Sequence, residues 1–257
     1  MTPRVFARKT LSLLRHAGHV GFQHRGAGRA VLRWKPFDPA TYLLAWRMHQ
    51  IDPTLRTIVD GGANVGQFAR ACLETFPTAR VLSIEPVPES ARSYRTNLAN
   101  EPRARLIEVA IGSHEGTIEF YHNETSAISS ALRLSSGAHE YHNGQISPME
   151  AHVIHVPVTT LDALLADEAL EAPVMLKLDL EGYVLQALRG ASATLGRLDY
   201  VLTEIEFVPL FEGAPSFEEV NALLEAAGFQ FQGPLDVKYD AAGIPVQMDA
   251  LYRRTRS

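Results

Sequence analysis

Between Thr57 and Phe207, short apolar runs alternate with stretches of helical periodicity. Thr57-Ile58-Val59-Asp60 has the length and composition of a buried strand, and the Gly61-Gly62 pair closes it. Residues 64–75 then predict a helix, residues 80–85 a second strand, residues 88–100 a second helix and residues 105–111 a third strand. Val174 to Leu180 and Tyr200 to Phe207 predict two further core strands. Between them Tyr183 to Leu195 reads as a helix interrupted at Gly190. Strands separated by helices of roughly 10–15 residues predict a parallel, doubly wound α/β sheet.

Outside this alternation the rhythm changes. Pro39-Ala40-Thr41 opens a helix carrying Tyr42, Leu43, Trp46 and Met48, and Thr117 to Tyr121 alternates like an added strand. Residues 123–150 are rich in Ser, Asn, Gly and His, a polar stretch long enough to suggest a functional lid or disorder. Val153 to Thr159 resumes a strand pattern. Ser216 and Glu219 form an S-x-x-E capping box, and Gly228 ends the helix it opens. Phe229 to Phe231 and Val246 to Tyr252 predict a closing antiparallel pair. The expected organisation is an N-terminal helical extension over 1–50 and one α/β domain over 51–257, with its variable loop near 123–150.

Composition narrows the setting. In 257 residues there is one cysteine, Cys72, so no internal disulfide forms and a reducing, cytoplasmic compartment is expected. No apolar run approaches the roughly 18 residues of a membrane span. Residues 1–37 hold eight basic residues and no acid, a formal +8 against −5 for the whole, which leaves the remainder at −13. That basic start suits an anionic lipid surface, a phosphorylated substrate, an acidic face of a neighbouring subunit in a homo-oligomer, or simple packing as a cap. The acidic remainder, without interleaved basic and aromatic residues, argues against nucleic acid as a partner.

Asp60-Gly61-Gly62-Ala63-Asn64-Val65-Gly66 falls where a strand gives way to a helix, the edge at which open α/β sheets bind ligands. Gly62 and Gly66 do not make the dinucleotide G-x-G-x-x-G, and no Lys-Ser/Thr follows as in a P-loop. Glu85, 25 positions after Asp60, ends the next strand, where a carboxylate can accept both hydroxyl protons of a ribose diol. Turn and acid together predict a nucleoside-bearing cofactor.

Several blocks in order now carry a resemblance. Residues 58–67, Ile84-Glu85-Pro86, Val109-Ala110-Ile111-Gly112, Thr160-Leu161-Asp162 and Leu176-Lys177-Leu178-Asp179-Leu180-Glu181-Gly182 resemble the FkbM-type methyltransferases. The resemblance implies a class I methyltransferase (Rossmann-like) sheet, mostly parallel with an antiparallel C-terminal strand. It implies S-adenosylmethionine as methyl donor, S-adenosylhomocysteine as product, and O-methylation of a sugar, glycoside or polyketide-type small molecule. By the same resemblance Asp60, Gly61, Gly62, Ala63, Asn64 and Gly66 hold the methionine part. Glu85, followed by Pro86, meets the ribose, and Ala110 lies near the adenine.

An alcohol barely ionises at neutral pH, so its methylation calls for a general base or a cation that lowers its pKa. Lys177, Asp179 and Glu181 share a face if their strand runs on, and Glu204 and Glu206 alternate on the next strand. Asp179, Glu181, Lys177 and Glu204 are therefore the candidate catalytic residues. Glu204, Glu206, Asp179 and a loop histidine would also permit a Mg²⁺ or Mn²⁺ site, but no compact ligand motif supports one and no metal is assigned. Val184 stands where the family pattern usually has an acid. His114, His122, His139, His142, His152 and His155 match no zinc spacing and read as loop residues, while Ser126, Ser129 and Ser130 are candidate substrate contacts. Two other readings stay open: an NAD(P)-dependent oxidoreductase, which lacks its dinucleotide turn and Tyr-x-x-x-Lys pair here, and a catalytically silent docking module.

Overall fold

A computed structural model describes residues 38–122, 129–135, 152–240 and 242–255. The expectations placed on residues 1–37, Ser126, His139 and His142 lie outside the described residues. The elements in chain order are α1 (Pro39–Ile51), β1 (Thr57–Gly61), α2 (Gln67–Thr75), β2 (Arg80–Ile84), α3 (Pro88–Asn97), β3 (Ala104–Ile107) and β4 (Ala110–Ile111). There follow β5 (Gly116–His122), β6 (His152–Thr159), α4 (Leu161–Leu165), β7 (Val174–Leu178), α5 (Val184–Arg189), α6 (Ser192–Leu195) and β8 (Tyr200–Glu206). The chain closes with α7 (Phe217–Ala226), β9 (Phe229–Tyr239) and β10 (Pro245–Arg254).

Seven strands form the main sheet in the order β3-β2-β1-β7-β8-β10-β9. All pairs from β3 to β8 are parallel, and β10 runs antiparallel to both β8 and β9. This is the expected doubly wound sheet with its antiparallel strand near the C-terminus. Strand order reverses between β1 and β7, which opens a crevice outside their carboxyl ends.

Strand alternation builds a core on each face. Ile58, Met175, Leu202 and Leu251 pack under α1 and α2 with Met48, Phe68, Cys72 and Phe76. Val59, Leu176, Val201 and Ala250 face the opposite way, against Leu161, Leu188, Leu195, Val220 and Leu224 of the other helices. Asp38 caps α1 by accepting from the Thr41 amide at 3.0 Å, and Pro39 occupies the first turn, where a missing N–H costs nothing. The capping box at α7 forms as expected, Ser216 and Glu219 each bonding the other's backbone amide.

The structure departs from the periodicity in two places. The predicted strand 105–111 splits: β3 pairs with β2, whereas β4 joins β6 and β5 in a second, three-stranded sheet. Pro86 follows Glu85 where β2 would continue, and proline cannot donate to a ladder, so β3 loses its partner there. The closing hairpin is also longer than expected, with register shifts in the β9–β10 pairing that blur its alternation.

Candidate active site

A cavity of about 290 Å³ opens at the crevice, with walls from α1, the turn after β1, the end of β2, the small sheet and the ends of β7 to β10. Gly62 has φ +80°, and a Cβ on it would lie 1.9 Å from the Asp179 carbonyl oxygen. Only glycine lets the β1 turn lie against the end of β7. The turn then delivers the Asn64 amide to Glu85 Oε2 at 2.8 Å, and the Val87 amide reaches Oε1 at 2.9 Å. Burial raises the Glu85 carboxyl to about 7 against the pull of these two amides, with Asp60 and Asp179 adding to the rise. Each oxygen holds one N–H and retains acceptor capacity facing the cavity.

The sheet face that is apolar at Ile58, Met175, Leu202 and Leu251 turns charged two residues further up every strand. Asp60 pairs with Lys177 across β1 and β7, and Glu204, Asp249 and Asp236 pair across β8, β10 and β9; the two sets are offset by two residues, because Lys177 lies opposite Leu202. Lys177 Nζ lies 3.1 Å from Asp179 and 3.6 Å from Asp60, with the Phe68 ring centre at 5.0 Å. Burial opposes its charge, but Asp179 and Asp60 outweigh that and push its pKa up. Lys238, two residues beyond Asp236, donates to Glu204 Oε1 at 2.7 Å, and Arg47 from α1 holds Asp236 at 2.8 Å.

One oxygen each from Asp179, Glu181 and Glu204 lie within 4.8 Å of one another. Crowding and burial split their acidities. Burial would raise Asp179, but Lys177 and then Lys238 hold it below the usual carboxylate range. Burial, then the neighbouring Glu204 and Asp179, push Glu181 far above it. Glu204 rises to about 8 through burial and Asp179, and Asp249 to about 6 for the same two reasons. Two lysines supply cations to Asp179 and Glu204, and the acids still outnumber them.

Glu181 and Gly182 take φ +48° and +84° in the turn after β7. Ser130 clamps that turn, its hydroxyl donating to the Glu181 carbonyl at 2.6 Å and accepting from the Leu132 amide at 3.0 Å. Residues 129–135 thus cross the site as a strap, bridged to Tyr121 at Ser130 and to Phe211 at Leu134.

Comparison with known proteins decides the family. Residues 60–231 match the Methyltransferase FkbM domain, two thirds of the chain. The chain belongs to the FkbM methyltransferase family. It is therefore an S-adenosylmethionine-dependent methyltransferase. It is 27% identical over 187 residues to the 2-O-methyltransferase NoeI of Sinorhizobium fredii, covering 71% of this chain and 76% of that protein. Among solved structures it is similar to EvdMO1, at 12% identity and TM-score 0.46, over 83% of this chain and 41% of that one. A TehB-like S-adenosylmethionine-dependent methyltransferase from Corynebacterium glutamicum aligns at 12% identity and TM-score 0.45, over 94% of this chain and 99% of its own. Likenesses that loose leave the family assignment to the FkbM domain itself.

Within this FkbM chain, Gly62, Ala63, Asn64, Glu85, Pro86 and Ala110 line the cavity together with Lys177, Asp179, Glu181 and Glu204. Asp60, Gly61 and Gly66 do not. Asp60 is fully buried beneath the floor, and burial raises its carboxyl in spite of Lys177. Gly61 and Gly66 are packing glycines: a Cβ would meet Ile111 at 2.8 Å or Leu98 and Tyr94 at 2.9 Å. Glu206 turns away to accept from the Leu210 amide at 2.7 Å, and Val184 is core at the start of α5. Ser129 lines the cavity, whereas Ser130 serves the strap. His114, His122, His152 and His155 stay out of it, with His122 bonded to Ser129 at 3.1 Å. Sequence reasoning missed Lys238, Asp249, Asp236 and Asp38, all cavity-lining. Strand alternation upward from Leu251 would have found Asp249.

The residues present fit the donor. Glu85 offers a carboxylate with open acceptor positions for a ribose, the small sheet offers Val109, Ala110, Ile118 and Phe120 for a flat base, and the acid-rich floor suits a cationic sulfur.

Proposed function

We propose that this FkbM methyltransferase methylates a hydroxyl oxygen of a small, polyhydroxylated, sugar-type acceptor, with a carboxylate of the Asp179–Glu181–Glu204 group taking the hydroxyl proton. The observation that carries the reading is that trio, which lines the same cavity as the Glu85 carboxylate. S-adenosylmethionine, when bound, supplies the methyl group and a sulfur leaving group. Everything else is asked of the chain. A buried acid whose pKa sits near operating pH is a competent general base, a condition that Glu204 meets and the strongly ionised Asp179 does not. Carboxylates and an ammonium along one wall, at Asp38, Asp236, Asp249 and Lys238, match the donors and acceptors of a polyol better than an apolar ring. The 2-O-methyl activity in the name of the NoeI relative supports oxygen as the acceptor atom.

Gly62, Ala63, Asn64, Glu85, Pro86 and Ala110 hold the donor in this reading, and Asp60 acts one layer below by tethering Lys177. No described helix is long and apolar enough to cross a membrane, and the reading places the acceptor as a small molecule. A methyl-transfer screen with labelled donor over sugar nucleotides, glycosides and macrolide-like alcohols, run with and without EDTA, tests it. Label on glycosidic hydroxyls supports the proposal; label on nitrogen or carbon acceptors alone rejects it.

A further inference from the structure

Lys238 belongs to no block of the family resemblance, yet β9 brings its ammonium to Glu204, one member of the acid trio. Its bond to Glu204 uses only Oε1. Oε2 of the same carboxylate is buried and receives no donor hydrogen among the described residues. An ionised oxygen left that way is costly, so the geometry favours an incoming O–H donor. The other two acids are differently engaged. Asp179 is held by Lys177, which is itself locked between Asp60, Asp179 and the Phe68 ring. Glu181 forms no ion pair among the described residues, and its backbone is clamped by Ser130.

The groups facing Glu204 come from several elements. Asp179, Glu181 and Lys177 approach from β7 and its turn, Asp249 from β10, and Lys238 and Asp236 from β9. Asp38 and Thr41 at the head of α1 line the same cavity. Of the cations among the described residues, only Lys238 makes a hydrogen bond to Glu204.

We infer that Lys238 is a positioning residue: by occupying Oε1 it eases the ionisation of Glu204 and leaves Oε2 for the acceptor hydroxyl, which makes Glu204 the proton acceptor of the trio. This rests on the O-methyl reading above. In the step, the acceptor O–H bond breaks and its proton passes to Oε2. The electron pair stays on the acceptor oxygen and forms the new bond to the methyl carbon, as the carbon–sulfur pair leaves with sulfur. Asp179 stays ionised throughout.

Two readouts test it. Carboxyl ¹³C NMR of protein labelled at the glutamate side-chain carboxyl, with the Glu204 resonance assigned by its loss in E204Q, follows the Glu204 titration directly. Removing the ammonium in K238M, or in K238Q should K238M fold poorly, is expected to raise the Glu204 midpoint by at least about one pH unit, and K238R should restore it. The acidic limb of kcat should move up by the same amount, with the KM for donor changed less than about threefold. An unmoved midpoint in the folded variants overturns the role of Lys238 even if methyl transfer is robust. A moved midpoint with no transfer to any alcohol strikes the O-methyl reading, and the proton-accepting role falls with it.

Discussion

Replacing Glu85 by glutamine keeps the shape of the side chain and removes its charge. In the ligand-free protein both carboxylate oxygens are already engaged, one by the Asn64 amide and one by the Val87 amide. A ribose diol adds a hydroxyl to each. Hydrogen bonds to a charged group are worth about 1.5–3 kcal/mol net. Glutamine keeps one acceptor oxygen but turns its NH₂ toward one of those amides, so the expected loss is about 2–3 kcal/mol, or roughly 30- to 150-fold in Kd. The assay is calorimetric titration of wild type and E85Q with S-adenosylhomocysteine and its 2′-deoxy analogue. Wild type should penalise the deoxy ligand, and E85Q should penalise it less, because the charged acceptor of that hydroxyl is gone. A pH series adds a second constraint. The grip requires the ionised form, and burial has raised Glu85 to about 7, so wild-type affinity should fall as pH drops below 7, by up to about tenfold per unit. E85Q should be flat over that range. Equal deoxy penalties in both proteins would show that the sugar lies elsewhere, and the cofactor geometry argued above would have to be abandoned.

Other expectations follow from the same structure. Asp60→Ala should act on stability before affinity, costing about 3 kcal/mol in urea unfolding, because it strips a buried partner from Lys177; a large affinity loss at unchanged stability would restore Asp60 to direct contact. Gly62→Ala should prevent normal folding or cost more than about 3 kcal/mol, since its Cβ would enter the Asp179 carbonyl at a left-handed φ; a thermal midpoint equal to wild type contradicts this. Ser130→Ala should lower kcat about fivefold through the Glu181 turn while donor affinity stays within about twofold, given a hydrogen bond worth about 1 kcal/mol; isotope-transfer kinetics beside calorimetry would separate the two. The ligand-free protein should lose stability between about pH 5 and 8. Glu85, Glu204, Glu206 and Asp249 have pKa values raised to about 7, 8, 7 and 6, so their contribution is complete below the unfolded value near 4.5 and is lost as pH rises. Asp52, Asp162 and Asp179 are lowered and titrate below that window; a midpoint that climbs from pH 5 to 8 would contradict the assignment.

The sheet was legible because its signals are local. Thr57 to Asp60, Arg80 to Glu85 and Val174 to Leu178 are runs buried on both faces, and the Ser216–Glu219 box announces α7 within four residues. Glu85 was legible for the same reason, as an acid at a strand end. Glu204 was legible by alternation along its own strand, but its neighbours were not. Asp249, Asp236 and Lys238 come from β10 and β9 and meet Glu204 only through register. Register shifts between Pro245 and Gln247 and between Asp249 and Ala250 break the simple alternation that would have aligned them. Asp60 shows a different tension. Its place in the glycine motif suggested ligand contact, whereas strand alternation from Ile58 puts it on the α2 side, where it is buried and 3.6 Å from Lys177.

The charged cluster also explains why so polar a floor is tolerated within a stable domain. Asp60, Asp179, Glu181, Glu204 and Asp249 outnumber Lys177 and Lys238, and burial alone would favour removing such a set. The mismatch has a use once the cavity receives a cation. A sulfonium adds positive charge beside the acids, which lowers their pKa values and favours the ionised base when the methyl group is ready to leave. A product with a neutral sulfur would lack that attraction, and the acids would hold their protons more readily. On the proposed reading, an acid excess on this floor would bind donor more tightly than product, and fully compensating it with more lysines would stabilise the empty protein while weakening that discrimination. The strain that titration should reveal in the free chain and the preference for a charged donor have one origin: carboxylates held close together by the pairing of β7, β8 and β10.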